Sequence, residues 1–154
     1  MAPPTTGNPL RELSFFAGLP DTLLWHLGKI AEKRSYAAND RLFEAGQKRE
    51  IFGILISGSI AIEQQEGGKA VQIATLGAGE VIGEGVLLEE GKHGTTARAA
   101  GPVEVVCFKR EPLMKLLKDQ PALYAALVAR AAKIINERIK RANALLLELS
   151  RKTR

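Results

Sequence analysis

The stretch from Ala31 to Phe108 most limits what this chain can fold into. Short apolar runs follow one another, each stopped by turn residues. The runs are KRSYA, RLFEAG, IFGILIS, SIAIEQ, AVQIATL, EVIG, TTARAA and VEVVCFK. The stops include Ala38-Asn39-Asp40, Gly46-Gln47, Ser57-Gly58, Gly67-Gly68, Gly77-Ala78-Gly79 and Gly101-Pro102. Ile60 and Ile62, then Val71 and Ile73, repeat at the two-residue period of a strand. Gly67-Gly68 suits a two-residue hairpin, where both central residues take positive φ. About eight short strands at regular spacing imply a sandwich or barrel, most simply a jelly roll.

Helices flank this β region. Leu10–Ser14 and Asp21–Ile30 read as two short helices around FFAGLP. Asp21 follows Pro20 and is expected to cap the second. That helix carries Leu23, Leu24, Leu27 and Ile30 on one side, with Trp25 at its edge. Glu111–Asp119 reads as another short helix. Pro121, well suited to a first helical turn, opens a long one uninterrupted by Gly or Pro. The expected class is mainly β with flanking helices: an eight-stranded double-stranded β-helix, or jelly roll, with short N-terminal helices and a long C-terminal helix. The expected division is a disordered Pro/Thr/Gly-rich lead-in over 1–9, the jelly roll over 10–120, and a lid and dimerisation helix over 121–154.

The long helix carries a seam. Val128, Ala132, Ile135, Ile139, Ala142, Leu146 and Leu149 are spaced alternately by four and three, as in a two-stranded coiled coil. A homodimer through this helix is therefore expected, since a helix of that length outruns one small barrel. The net charge of +5 is concentrated there too. From Pro121 onward eight basic residues face two acidic ones, so residues 1–120 together carry −1. Such a helix binds nucleic acid only nonspecifically without a recognition helix, so nucleic acid is not an expected partner.

The single cysteine, Cys107, lies between Val106 and Phe108 and reads as a small buried side chain in a strand. A lone cysteine forms no internal disulfide, which fits a reducing compartment. No stretch approaches the ~20 apolar residues of a membrane span, and the N-terminus has no signal-peptide pattern. A cytoplasmic location without membrane attachment is expected. His26 and His93 lie far apart in sequence, and no triad, P-loop or zinc spacing is visible. An enzyme, and a bound metal, are not expected.

Gly83 to Ala99, GEGVLLEEGKHGTTARA, carries the candidate chemistry. Gly83-Glu84-Gly85 makes a flexible turn, and Val86-Leu87-Leu88 suits one helical turn. Backbone N–H groups lined by glycine at such a turn can face an anion. Lys92, His93, Thr95, Thr96 and Arg98 add donors nearby. By strand alternation Arg98 faces away from His93.

These residues resemble the phosphate-binding cassette of the cyclic nucleotide-binding domain family, to which the catabolite activator protein and protein kinase A regulatory subunits belong. Gly83, Glu84, Val86, Leu87 and Leu88 fit its first half. LFEAGQ followed by IFGILISGSIAI resembles the family's strand–turn–strand, with Gly46 and Gly58 in place. The resemblance covers about residues 10–150. It implies that Glu84 accepts from a ribose 2′-hydroxyl and that the N–H groups of Gly85 and Val86 face the cyclic phosphate of cAMP or cGMP. It also implies that Tyr124, Leu127 and Val128 cover the base. The second half departs: the family's phosphate-pairing arginine falls on His93, and its small positions on Gly94 and Thr95. An imidazole with a pKa near 6.5 is mostly neutral at pH 7, whereas a guanidinium always forks onto phosphate.

Two readings of the pocket stay open here. In one, His93, Thr95, Thr96 and Lys92 form a variant cassette. In the other, the pocket is lost and the barrel is a dimerising adaptor. The favoured function is a standalone cyclic-nucleotide sensor that signals through its C-terminal helix to an unknown downstream protein partner. The sensor half of a transcription regulator is the further alternative.

Overall fold

The computed structural model describes residues 9–153. The expected lead-in therefore lies, apart from Pro9, outside the described residues. Each of the eight apolar runs forms a strand: β1 Glu32–Tyr36, β2 Arg41–Phe43, β3 Ile51–Ser57, β4 Ile60–Glu66, β5 Lys69–Leu76, β6 Val81–Ile82, β7 Thr96–Ala99 and β8 Val103–Lys109. They build two four-stranded antiparallel sheets, in the orders β1-β8-β3-β6 and β2-β7-β4-β5. This is the jelly roll that the pattern predicts. The β4–β5 hairpin turns at Gly67-Gly68, with φ of 57° and 80°.

Two hydrophobic cores share the β3–β8 pair. Leu55, Val105 and Cys107 point into the barrel, where they meet Leu42, Phe43, Ile60, Leu76, Ile82 and Ala97. Phe52, Ile54 and Phe108 point the other way, into a helical layer. Strand alternation sends neighbouring residues to opposite cores, which is why β3 reads as a nearly continuous apolar run. Burial of each large side chain contributes roughly 1.5–3 kcal/mol.

The helical layer comprises α1 Asp21–Ile30, α2 Arg110–Asp119 and α3 Pro121–Lys152. The helix expected over Leu10–Ser14 is instead two 3-10 turns, Pro9–Glu12 and Ser14–Phe16. Leu13 between them is extended, with φ −86° and ψ 122°. That break lets Leu10, Phe15 and Phe16 all enter the helical core. Asp21 is also not a cap. Pro20 occupies the capping position without a side-chain bond, and Asp21 is the first helical residue, paired with Arg11. A carboxylate there still faces the positive end of the helix.

α3 has 32 residues and so spans about 48 Å. Its first turns bury Leu123, Leu127 and Ala131 against the helical core. Beyond Arg138 the helix stands clear, and Ile139, Leu145, Leu146, Leu147 and Leu149 are more than half exposed. Among the described residues, no helix is long and apolar enough to cross a membrane.

Candidate ligand site

The cassette turn is a 3-10 turn over Glu84–Leu87, entered from Gly83. Gly83 takes φ 70°, and a Cβ there would collide with the carbonyl oxygen of Ile51. Only glycine satisfies both conditions. Val86 and Leu87 anchor the turn in the helical core. The Val86 N–H donates to the Gly83 carbonyl at 3.0 Å. It is therefore engaged within the turn rather than turned to a ligand.

A cavity of about 310 Å³ opens beside this turn, within the size range of small-molecule sites. The cassette lines it with Gly83, Glu84, Gly85, Leu88 and Glu89, and the following loop with His93, Gly94 and Thr95. Phe43, Ile62, Leu76 and Ile82 form the barrel side, while Ile135 and Arg138 come from α3. Arg49 completes the wall.

His93 is not a cation here. Its ring stacks on Phe43, with centroids 3.8 Å apart and planes 10° off parallel, and only 7% of the residue is exposed. Burial, and then the neighbouring Arg49 charge, pushes its pKa below the ordinary imidazole value. It is neutral at pH 7 and acts as a flat wall.

Arg49 was missed in sequence because QKRE matches no motif and has no period. Long-range backbone pairing puts it in place. The Gly46 N–H donates to the His93 carbonyl, the His93 N–H to the Gln47 carbonyl and the Arg49 N–H to the Gly91 carbonyl, all at 2.8 Å. The segment before β3 thus runs antiparallel to the loop after the cassette. The Arg49 guanidinium lies over Gly85, where a Cβ would come within 2.9 Å of its Cζ. Its Nη1 donates to Glu89 at 3.0 Å. The Arg49 side chain is 21% exposed and that of Glu89 70%.

Glu84, whose side chain is 16% exposed, faces the cavity and is held by Arg138 of α3. Arg138 also donates to the Val81 carbonyl at 2.8 Å. One side chain thus ties the helix both to the cassette and to the end of β6.

Several expected residues sit elsewhere. Thr96 turns from the cavity, and its hydroxyl accepts from the Ala45 N–H at 3.0 Å. Arg98 faces the opposite side, as alternation requires, and donates to Glu63 at 3.3 Å and Asn39 at 3.0 Å. Tyr124, Leu127 and Val128 do not line the cavity. Leu127 is fully buried in the helical core, Val128 is half-buried and Tyr124 faces outward. The helix crosses the pocket two turns later, at Ile135 and Arg138. Of the expected seam, Ile135 is thus drawn to the pocket, while Ile139, Ala142, Leu146 and Leu149 remain exposed.

A second cavity of about 440 Å³ lies on the other side of Arg138, between α3 and Ser14–Ala17. There Arg130 donates to the Phe15 and Ala17 carbonyls. This is the groove in which α3 docks on the N-terminal segment, and it contains none of the cassette. The Cys107 thiol is fully buried in the barrel, and burial raises its pKa to about 11. It is an inert core side chain.

A turn bearing a carboxylate, a cavity beside it and a helix in its wall make a candidate small-ligand site. The sequence pattern of the cyclic nucleotide-binding domain matches residues 33–120, and the chain belongs to that family. It is 30% identical to the cAMP-activated global transcriptional regulator CRP of Pasteurella multocida, over 73% of this chain and 54% of that one. It is 30% identical to the cGMP-dependent protein kinase egl-4 of Caenorhabditis briggsae, over 75% of this chain but 16% of the kinase. The structure resembles the catabolite activator protein of Thermus thermophilus with a TM-score of 0.70 and 26% identity, covering 88% of this chain and 62% of that one. The chain thus spans about half of the regulator and a small part of the kinase. What it shares with both is a regulatory ligand-binding domain, not a catalytic one.

Proposed function

We propose that this chain is a cyclic-nucleotide sensor whose ligand sits between the cassette turn and α3, and whose signal leaves through α3. One observation carries the reading: Arg138 of the helix and Glu84 of the cassette meet in the wall of one cavity. In this family the residue at Glu84 accepts from the ribose hydroxyl. Here that carboxylate already has a partner on the helix. A ribose bound at Glu84 competes with Arg138, so ligand binding and the seating of α3 are linked. The ligand then pulls the population toward the arrangement in which the helix is released or repositioned.

The ligand class is a purine 3′,5′-cyclic nucleotide, cAMP or cGMP. Phe43, His93, Ile62 and Ile135 provide apolar and flat surface, and Gly94 and Thr95 provide the small rim. The part of α3 beyond Arg138, already clear of the barrel, reads out by self-association, and ligand changes how it is presented. Its exposed stripe, Ile139, Leu146 and Leu149 at 53%, 63% and 59%, favours a second copy of this chain as its cover. A further protein partner would then read the dimer.

Calorimetric titration of cAMP and cGMP into the purified protein tests the sensor reading. Saturable binding of one of them with a 1:1 stoichiometry is expected. Heats no larger than dilution for both would leave the barrel as a dimerising adaptor.

A further inference from the structure

We infer that Arg49, carried on the segment opposite the cassette loop, is the guanidinium that pairs with the ligand's cyclic phosphate. The inference rests on the sensor reading above and names the residue that makes its site work. A cyclic phosphate carries a charge that a desolvated pocket must neutralise. The cassette itself does not supply that charge, because His93 is stacked on Phe43 and neutral.

Two arginines line the cavity, Arg49 and Arg138. Arg138 is committed to Glu84 and the Val81 carbonyl. Arg98 is on the far face with Glu63. Arg49 is differently placed. Its backbone is fixed to Gly91, two residues before His93, so the charge enters from across the ladder at the height where the cassette lacks one. Its guanidinium lies directly over Gly85, the residue next to Glu84. A phosphate attached to a ribose held at Glu84 therefore lies within reach of the fork. The absence of a side chain at Gly85 leaves the room the guanidinium occupies.

The present partner of Arg49 is replaceable. Glu89 is 70% exposed, and an ion pair whose carboxylate is that well solvated is weak. A desolvated phosphate, bonded by two N–H groups at once, outcompetes it. Exchange of Glu89 for phosphate also frees the Glu89 carboxylate, so the end of the cassette loses a side-chain partner when ligand enters.

The test compares cAMP with adenosine, which lacks the phosphate. Both are titrated by NMR into the native chain, Arg49→Gln and Arg49→Lys, with melting temperatures confirming the fold. Arg49→Gln is expected to weaken cAMP about ten- to a hundredfold and leave adenosine unchanged, with Arg49→Lys between. An equal loss for both ligands, or no loss for cAMP, would overturn the role of Arg49 while the sensor reading stands. Failure of the native chain to bind cAMP or cGMP overturns both. As a gain-of-function check, His93→Arg placed in the Arg49→Gln chain restores cAMP affinity by at least about tenfold if charge is what was lost. No restoration in a folded double variant counts against the inference.

Discussion

The two halves of α3 both carry leucines at helical spacing but are opposite in circumstance. The first half buries Leu123, Leu127 and Ala131 completely against α2, the N-terminal turns and the sheet. The second half exposes Leu145, Leu146, Leu147 and Leu149 at 58–63%. Apolar residues at helical spacing therefore do not say what covers them. In the first half the cover is this chain. In the second half no described residue covers them, and Arg138 sits at the boundary, held by Glu84.

The largest expected effect separates the halves by stability. Leu127→Ala leaves a cavity in a packed core and should lower unfolding free energy by ~2–5 kcal/mol. Leu146→Ala, in dilute protein where the chain is a monomer, should change it by no more than ~0.5 kcal/mol. Urea denaturation of both decides this, and equal losses would erase the distinction between the halves. Next, Leu146→Asp should abolish self-association in sedimentation velocity while leaving urea unfolding unchanged.

A smaller effect falls at the boundary itself. Arg138→Gln removes the competitor for Glu84 and should raise cyclic-nucleotide affinity by roughly fivefold, or ~1 kcal/mol. Hydrogen exchange should also quicken in α3 after Ala131. Weaker binding would mean that Arg138 holds the ligand rather than opposing it.

Smaller again is the contribution of His93 to pH dependence. Its folded pKa lies below the unfolded value of about 6.5. Between those two values the unfolded chain binds the proton and the folded chain does not, so stability falls as pH drops below about 6.5 and is flat above it for this group. The slope it adds is at most about 1.4 kcal/mol per pH unit. Unfolding titrations of the native chain and His93→Gln should diverge in that window. The smallest expected signal is at Cys107, whose thiol should stay unreactive to iodoacetamide at pH 8 until the barrel is unfolded.

The fold was readable because its signals are local. Alternation at Ile60 and Ile62, glycine pairs at the turns and Pro121 at a helix start each follow from a few neighbouring residues. The cassette turn was readable for the same reason, since Gly83, Glu84 and Gly85 are consecutive. The charge of the site was not, because Arg49 reaches it only through pairing of residues 46–49 with 91–93. The turn of α3 beside the cavity was expected at Tyr124, Leu127 and Val128 and lies at Ile135 and Arg138 for a related reason. A helix repeats every ~3.6 residues, and its sequence marks which stripe is apolar but not which turn crosses a pocket.

Strand β3 belongs to both hydrophobic cores, with Phe52 and Ile54 on one side and Leu55 on the other. A one-residue deletion or insertion in it would exchange the two faces at a stroke. Its alphabet is accordingly narrow: Phe52 to Leu55 are all buried, and successive positions answer to two sets of neighbours that have no residue in common. In a saturation library of this chain, β3 should be the row where the fewest letters survive.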